Sequence, residues 1–416
     1  MTTSGKSITR RNVLRIAGLS GVALATPAFI TRSLAAEPPI KMGSLLDATG
    51  PLGLEGRRMI KATEYAVSQI NAKGGLLGRQ IELKSFDTQS DIKLYTQYAL
   101  QLAMRDKVDI IQGGITSSSR EAIRPIFDRT KTLYFYNTQY EGGVCDHYVF
   151  CTGTTPAQTV NHIVDYATKN WGKKTYIIAA DYNYGHITAD WMKKFVTANG
   201  GSVAGVDFLP LDVTNFSSTI SRIQQAAPEF VLSALVGSNH LGFYRQWDAA
   251  GMKSKMPIGS SVFGLGDELE AMDVSTTDGI VTCYGFYQDL QTDAAKGFVS
   301  GLQKFIGEDA KDISELAVAT YDGVMLWANA VEKAGTVETE KVISALESGI
   351  TIDAPGGKVT MDPKTHHTIR PTYLAQPKNR HWEILSTFAD QYPADAGGRC
   401  DLVAHPDMKT QFTPQF

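Results

Sequence analysis

The chain has 416 residues and a formal net charge of −3, with 43% hydrophobic and 20% charged residues. This balance is typical of a globular protein, and it argues against the basic character of proteins that bind nucleic acids or anionic membrane surfaces. Behind an apolar leader, roughly 380 residues remain, which is enough for two domains of ~100–200 residues each.

The N-terminus resembles an export signal. Thr9–Leu14 has the sequence TRRNVL, a twin-arginine pattern, and an apolar stretch follows at Ile16–Ile30. This stretch is too short to span a bilayer comfortably, and Pro27 interrupts it. Small residues at Ser33–Ala36 then suit a cleavage site. We predict a twin-arginine signal peptide at residues 1–36 and a periplasmic protein, with a retained membrane anchor as the alternative.

Strand-like and helix-like segments alternate in the first part of the mature chain. Short apolar runs indicate buried strands, and apolar residues spaced by three and four indicate helices. The strands are predicted at Ile40–Leu45, Ile81–Phe86, Val108–Ile111 and Leu133–Tyr136, and the helices around Met59–Ile70, Tyr95–Met104 and Ala122–Phe127. This alternation predicts a parallel sheet with helices on both faces.

The same plan repeats after Pro156. The strands are predicted at Thr175–Ala180, Val203–Leu209, Phe230–Leu235 and Gly279–Tyr284, and the helices at Val160–Trp171, Ala189–Asn199, Phe216–Ala226 and Leu241–Gly251. Further segments are helices at Ala294–Ile306, Leu316–Ala334 and Glu338–Ser348 and paired strands at Gly357–Met361 and Thr372–Ala375. Because no low-complexity linker separates the units, we expect two doubly wound α/β lobes joined by a hinge of short crossings. The first lobe would comprise residues 37–155 and 285–350, and the second residues 156–284 and 351–416.

The four cysteines suggest a disulfide, since the predicted compartment is oxidising. Cys145 and Cys151 are close enough in the chain to close a small loop, and we expect this pair. A bridge between Cys283 and Cys400 would then be the second. Four cysteines allow three pairings, and the sequence does not choose among them.

Polar side chains follow two neighbouring predicted strands. Thr116 and Ser117 stand before a helix, where hydroxyls can cap it and its first N–H groups can face a ligand. Thr138 follows the next strand, behind Tyr136. Because ligands of open α/β sheets bind beyond the carboxyl ends of the strands, these residues are expected to hold a small polar molecule. Tyr182 and Tyr184 follow a strand of the second unit, and each would add a flat apolar face and one hydroxyl to this site.

Motifs of catalysis are missing from the sequence, which has no GxSxG, HExxH, P-loop or GxGxxG after a strand. We therefore expect no catalytic residue and no cofactor. His366-His367 has no further metal ligand at useful spacing, so an exposed turn is expected there instead of a metal site. A secreted hydrolase that uses a hydroxyl of Ser117–Ser119 is the alternative, and it requires a histidine within hydrogen-bond reach.

The charge of the expected ligand follows from the loops. Residues 236–240 contain no acidic side chain, and neither Asp181 nor Glu141 is clearly directed at a pocket. An ammonium group needs a carboxylate partner. The lining therefore favours a neutral ligand with amide-like donors and acceptors over a zwitterion.

Several motifs are similar to those of a known family. They are INAKGGLLGRQIEL at Ile70–Leu83, DIIQGGITSSSREAIRPIF at Asp109–Phe127 and the helix segment Ala319–Gly323. With them, the mature chain resembles the periplasmic solute-binding proteins of the branched-chain amino acid/amide class of ABC importers, which have the type I two-lobed fold. TQYEGG at Thr138–Gly143 and DAPGGKVTMDPKTHHT at Asp353–Thr368 are most similar to binders of urea and short-chain amides.

The resemblance implies a role for particular residues. Ser117, Thr138, Tyr182 and Tyr184 would make polar contacts to the ligand, and Tyr136 would line the pocket. The closing contacts from the second lobe would be Gly237 and Ser238. The implied function is capture of urea or a short-chain amide and its delivery to a membrane permease, with no nucleic-acid partner. The alternative is the same role for a branched-chain or other amino acid, which an acidic side chain in the pocket would favour.

Overall fold

The computed structural model describes residues 1–2, 37–237, 240–307 and 313–415. The predicted signal peptide therefore lies almost wholly outside the described residues, as does the predicted contact Ser238. From Pro38 onward the chain forms one compact unit. Within the described ranges, no helix combines the length and the hydrophobicity that a membrane span requires.

The described strands are numbered β1 to β16 in chain order. They are Ile40–Leu46, Ile81–Asp87, Ile110–Gly113, Leu133–Tyr136, Val144–Asp146, Val149–Cys151, Lys174–Ala180, Ser202–Leu209, Phe230–Ala234, Ile258–Ser260, Thr282–Tyr284, Thr351–Ala354, Gly357–Met361, Thr368–Lys378, His381–Gln391 and Lys409–Gln411. The helices α1 to α12 are Gly53–Ala72, Ile92–Leu100, Ser117–Thr130, Val160–Asn170, Asn183–Ala198, Ser217–Ala226, His240–Ala249, Glu268–Ala271, Val274–Thr277, Asp293–Ile306, Glu315–Ala334 and Thr339–Leu346. A π-helical segment at Gln101–Asp106 follows α2 directly.

Two parallel sheets organise the chain. The first has the strand order β2-β1-β3-β4-β6, and the second has the order β10-β9-β7-β8. Helices link the successive strands of each sheet, except that β4 connects to β6 through a segment that contains β5. This arrangement confirms the predicted α/β fold. We call the first sheet with its helices the first half, and the second sheet with its helices the second half.

Helix α1 shows how the sequence positions the site. It begins directly after the loop that leaves β1, and its inward residues are spaced by three and four, including Met59, Ala62 and Ala66. It ends at Ala72, and Gly74 follows with a φ of +105°, a conformation that favours glycine. The first turn of α1 consequently lies at the carboxyl end of the first sheet.

An antiparallel sheet connects the halves. One end of β14 pairs with β13 at Thr360 and Met361, beside the core of the first half. Its other end pairs with β11 at Thr282–Tyr284, within the core of the second half. Two other segments that connect the halves, one containing Thr154 and one containing Gly285, are joined by the Glu315 carboxylate. Its oxygens accept hydrogen bonds from the Thr154 hydroxyl at 2.7 Å and from the Gly285 N–H at 2.7 Å.

Part of the C-terminal region packs against the first half. Ile352, Val359 and Met361 share a core with Trp327 and Leu346 of the first half, although residues 351–416 were expected in the second lobe. The hairpin β12–β13 places these apolar side chains on one face, and the helices α11 and α12 offer the matching apolar surface. The division into two lobes at the stated residues stays a proposal.

The disulfide joins Cys145 to Cys400, so the expected pair Cys145–Cys151 is wrong. Cys145 lies on β5, which pairs with β16, whereas Cys151 lies on β6 inside the first sheet. The C-terminal segment thereby reaches Cys145 across a sequence separation of 255. Cys151 and Cys283 are free and buried, so the second expected bridge, Cys283–Cys400, does not form either.

Candidate ligand-binding site

A cavity lies where the carboxyl ends of the two parallel sheets face each other. The empty space among its lining atoms is about 490 Å³, a figure that includes open solvent. It is lined by Leu52, Glu55, Ile115, Thr116, Ser117, Tyr136, Thr138, Gln139, Tyr182, Tyr184, Val236, Gly237, Val262, Leu265, Glu268 and Leu316. Every predicted contact residue that the structure describes is part of this lining.

The N-terminus of α3 forms one wall. Thr116 caps the helix, because its Oγ1 accepts a hydrogen bond from the Ser119 N–H at 3.0 Å. The first N–H groups, at Ser117 and Ser118, have no acceptor within the helix. The buried Ser117 hydroxyl donates to the Glu141 carboxylate behind the wall. Ser117 therefore offers its backbone N–H as a donor and its hydroxyl oxygen as an acceptor.

Two more hydroxyls on this wall are held by backbone carbonyls. Thr138 donates to the Gly114 oxygen at 3.0 Å, and Tyr136 donates to the Ile115 oxygen at 3.0 Å. Gly114 has a φ of +80°, and a Cβ there would lie 2.6 Å from the Tyr134 hydroxyl, so only glycine fits this turn. The wall is fixed by hydrogen bonds within the protein.

Glu141 belongs to the supporting layer behind the cavity. Its carboxylate forms an ion pair of 2.8 Å with Arg120, and both side chains are fully buried. The Arg120 guanidinium lies 5.0 Å from the ring centre of Tyr136 and 4.6 Å from that of Tyr140. The Trp191 indole of α5 donates to the Glu141 carbonyl at 3.0 Å. The Tyr-Glu-Gly motif is thus a structural element beneath the first wall.

The second half contributes tyrosines to the opposite wall. Helix α5 begins at Asn183, six residues before the predicted start at Ala189, so Tyr184 lies in its first turn. Gly185 permits this early start, since a Cβ there would come within 1.9 Å of the Ala180 carbonyl oxygen. The Tyr184 hydroxyl is 3.0 Å from the Ser261 hydroxyl, and burial raises the pKa of Tyr184 to about 12. It stays protonated at neutral pH.

Two carboxylates in the lining were missed by the sequence analysis. Glu55 lies in the first turn of α1, and burial together with the nearby Glu268 carboxylate raises its pKa to about 7. Glu268 itself is 3% exposed and forms an ion pair of 3.1 Å with His240. Burial opposes ionisation there, but the hydrogen bond and charge of His240 keep the pKa of Glu268 below its ordinary value. Burial also disfavours the charged form of His240, and Glu268 outweighs it and raises the pKa of His240.

The expectation of a lining without acidic residues is therefore wrong. Glu55 had one visible signal, since it follows the loop at the end of the first predicted strand. Glu268 had none, because it begins the four-residue helix α8, which is too short to show a periodicity in the sequence. Glu55 and Glu268 come close only because the two halves pack against each other, and the sequence does not show this.

The His366-His367 pair is not an exposed turn, because the side chains are 0% and 3% exposed. His367 is hydrogen-bonded to the Tyr140 hydroxyl, and burial lowers the pKa of His367 to about 4. His366 pairs with Glu347 at 3.1 Å. No group of three potential metal ligands occurs in the part of the chain that the structure describes.

Comparison with known proteins assigns the family. Residues 39–381 match the family model of the periplasmic binding proteins. Leu/Ile/Val-binding protein homolog 6 of Brucella melitensis is 25% identical over 346 residues, which are 81% of this chain and 87% of that protein. The leucine-, isoleucine-, valine-, threonine- and alanine-binding protein of Pseudomonas aeruginosa is 25% identical over 351 residues, 82% of this chain and 90% of that protein.

Solved structures agree on the fold. A solute-binding protein of an ABC transporter from Rhodopseudomonas palustris, in complex with 3,4-dihydroxybenzoic acid, has a TM-score of 0.77 and 21% identity, with 85% of this chain and 98% of that one covered. A leucine-binding protein from Thermotoga maritima has a TM-score of 0.75 and 20% identity, with 84% and 99% covered. The expected type I fold is confirmed, and the chain belongs to the periplasmic binding protein family.

Proposed function

We propose that this protein is the substrate-binding component of an ABC importer and that it carries an amino acid with an apolar side chain. The relatives from Brucella and Pseudomonas, named for binding such amino acids, match more than four-fifths of the chain and support the class of ligand. The proposal replaces urea or a short-chain amide as the preferred ligand.

The observation that carries the proposal is the Glu55 carboxylate in the cavity lining. Its raised pKa of about 7 reflects burial first and the adjacent Glu268 carboxylate as well, which together outweigh the opposing positive charges of His240 and Arg58. A ligand ammonium beside Glu55 would supply a further opposite charge. A neutral amide or urea would supply none.

The remaining lining suits the other groups of an amino acid. Elsewhere in the lining, the free N–H groups at the start of α3 provide donors for a ligand carboxylate, and the helix dipole favours a negative charge there. Apolar residues complete the cavity and fit an aliphatic side chain; they are Leu52, Ile115, Val236, Val262, Leu265 and Leu316. Tyr182 and Tyr184 would cover the ligand from the second half.

The motif that favoured urea or amides has another explanation. Glu141, the acid of TQYEGG, binds Ser117 and Arg120 behind the first wall and is absent from the lining. Its structural task is compatible with many ligands. Specificity for urea or an amide therefore has no support from this motif.

The hydrolase alternative requires a histidine beside a serine of α3. Ser117 donates to Glu141, Ser118 to the Asn183 side chain at 3.2 Å and Ser119 to the Thr116 carbonyl at 2.8 Å. Among the described residues, no histidine is hydrogen-bonded to any of them. A binding protein explains these contacts better than a Ser–His nucleophile does.

The proposed cycle uses the two halves in turn. The ligand would bind the first wall at Ser117 and Thr138, and the second half would close over it with Tyr182, Tyr184 and Gly237. Only a ligand with a higher affinity for the closed form can shift the protein towards it. The closed protein would then deliver the ligand to a membrane permease. Export through the twin-arginine leader remains part of this proposal.

The test is a calorimetric binding screen of the purified protein. The panel comprises leucine, isoleucine, valine, alanine, urea, acetamide and 4-hydroxybenzoate. Binding of one or more of the amino acids, with none of urea or acetamide, is the expected result. Leucine amide, which keeps the ammonium but lacks the carboxylate, should bind more weakly than leucine. Binding of urea or acetamide alone would refute the proposal and restore the neutral ligand.

A further inference from the structure

The C-terminal segment reaches the layer behind the cavity. We call residues 400–415 the C-terminal strap. Its strand β16 pairs antiparallel with β5, with Thr410 opposite Cys145 and Gln411 opposite Val144. The disulfide Cys145–Cys400 fixes its beginning to the same strand β5. Both attachments belong to the first half, close to the TQYEGG motif.

Gln411 of the strap binds both members of the buried ion pair. Its Nε2 donates to Glu141 Oε1 at 2.7 Å and to the Gly142 carbonyl at 3.0 Å. Its Oε1 accepts a hydrogen bond from the Arg120 Nη2 at 3.2 Å. The amide of Gln411 thus supplies one donor and one acceptor where the ion pair requires each.

The two carboxylate oxygens of Glu141 have different hydrogen-bond partners. Oε1 accepts from Arg120 and Gln411, whereas Oε2 accepts the Ser117 hydroxyl. Because a carboxylate is planar, donors that fix Oε1 also fix the direction of Oε2. The direction of Oε2 then determines where the lone pairs of the Ser117 hydroxyl point in the cavity.

We infer that Gln411 is a positioning residue for ligand recognition and that the strap exists to present it to Glu141. This inference depends on the proposed function, since it requires Ser117 to contact the ligand. The strap also touches the second half, where Lys194 of α5 donates to the Gln415 carbonyl at 3.0 Å. It therefore contacts both halves while it supports the first wall.

The strap offers a matched control for this role. Lys409 lies two residues before Gln411 on the same strand, and it forms a surface ion pair of 2.9 Å with Asp128. Its side chain is 54% exposed and has no contact with Glu141. Gln411→Met removes the amide at nearly constant volume, and Lys409→Met removes the ammonium in the same way.

The experiment measures affinity by calorimetry, and melting temperature beside it, for the wild type and both variants with the amino acid that the wild type binds. Gln411→Met should weaken binding about tenfold, as the loss of hydrogen bonds to a charged group would. Lys409→Met should bind within about twofold of the wild type, as expected for the loss of a surface ion pair. A Gln411→Met variant with wild-type affinity would overturn the inference.

A second variant supplies a readout that a purely structural role would not change. Gln411→Glu places a carboxylate against Glu141, and one of the two must be protonated for the pair to persist. Its affinity should therefore recover as the pH falls, relative to Gln411→Met measured at the same pH values. Parallel pH profiles for the two variants would contradict the inference. If Gln411→Met fails to fold, the pH profile of the wild type replaces it as the reference, and a Gln411→Glu profile parallel to that of the wild type would contradict the inference.

The outcomes separate this inference from the proposed function. If the wild type binds urea, acetamide or 4-hydroxybenzoate in place of an amino acid, the proposed function fails, and the comparison of variants proceeds with that compound. If the wild type binds an amino acid and both Gln411 variants match it, only the inference on the strap fails. A wild type that binds nothing on the panel removes both.

Discussion

The two sides of the cavity differ in how their polar groups are satisfied. On the α3 side, the hydroxyls of Ser117, Tyr136 and Thr138 all donate to acceptors of the protein. On the α1 side, Glu55 carries a pKa that is raised by burial and by its neighbour Glu268. The first side keeps its geometry without a ligand. The second carries an electrostatic cost that a ligand cation can relieve.

This difference suggests a division of labour in recognition. Hydrogen bonds that are already formed limit the entropy lost when a ligand docks, so the α3 side contributes orientation. A buried carboxylate whose pKa stays raised despite nearby cations gains most when a further opposite charge arrives, so the Glu55 side contributes affinity and selection for an ammonium. The following predictions test that division.

The largest effect is expected for Glu55→Gln. The substitution keeps the size of the side chain and removes its charge. Amino acid affinity should fall by about 100-fold or more, because the loss of one partner of a desolvated charge pair costs ~2–5 kcal/mol. Calorimetric titration measures the change. Glu64→Gln on the exposed face of the same helix α1 is the control and should bind like the wild type.

The same variant should be more stable than the wild type without ligand. A carboxyl whose pKa is raised from 4.5 to about 7 stabilises the fold at low pH, and this contribution is lost as the pH rises through that window. Glu55→Gln should accordingly raise the melting temperature at pH 8 but not at pH 4. A lowered melting temperature at pH 8 would mean that Glu55 has a cationic partner in the protein.

The pH dependence of binding comes next in size. The pKa of Glu55 is about 7, so at a lower pH its carboxyl group is mostly protonated and cannot pair with an ammonium. Protonation of His240 beside Glu268 would add a positive charge and act in the same direction. The ionised fraction of Glu55 falls by up to tenfold for each pH unit below its pKa. Affinity should therefore drop roughly thirtyfold between pH 8 and pH 5.5. A flat profile for the wild type would place the ammonium elsewhere.

A smaller effect is expected on the α3 side. Thr138→Val removes a hydroxyl oxygen from the cavity and leaves the Gly114 carbonyl without that donor. Affinity should fall about tenfold, in line with ~1–3 kcal/mol for an unsatisfied buried group. The pH profile of binding should stay that of the wild type. A shifted profile would mean that the two sides of the cavity are not independent.

The smallest effect is expected for Ser118→Ala. The Ser118 hydroxyl donates to the Asn183 side chain at 3.2 Å, so it links the two halves beside the cavity. Its loss should change affinity by about threefold or less, since a partly exposed hydrogen bond between neutral groups lies near the lower end of the ~0.5–1.5 kcal/mol range. The change should appear in the dissociation rate measured by stopped flow. An effect as large as that of Thr138→Val would require Ser118 to contact the ligand directly.

The fold and the α3 side of the cavity could be predicted from the sequence because local patterns encode them. Strands buried in a parallel sheet are continuous apolar runs, as Thr175–Ala180 in β7 shows. Thr116 and Ser117 directly follow such a strand and its turn, so their place at the carboxyl end of the sheet was visible. These inferences need only neighbours in the chain.

The carboxylate side and the disulfide could not be predicted in this way. Glu55 and Glu268 meet only when α1 and the segment after β10 approach across the two halves. Cys145 and Cys400 meet only because β16 pairs with β5. Short sequence separation suggested Cys151 instead, yet the strand that carries each cysteine decides which partner is in reach. Contacts between distant segments leave no periodic signal in a single sequence.

Strand β14 has a consequence for how the protein unfolds. The strand is continuous over Thr368–Lys378; it contributes side chains to the core of the second half, and it pairs with β13, which packs in the core of the first half. Neither half can lose its structure without exposing backbone groups of a strand that the other half still uses. Heating should therefore produce one calorimetric transition whose van't Hoff enthalpy equals the measured enthalpy, as for a single cooperative domain. The two halves would then move relative to each other when a ligand binds, but they would unfold together in a single transition.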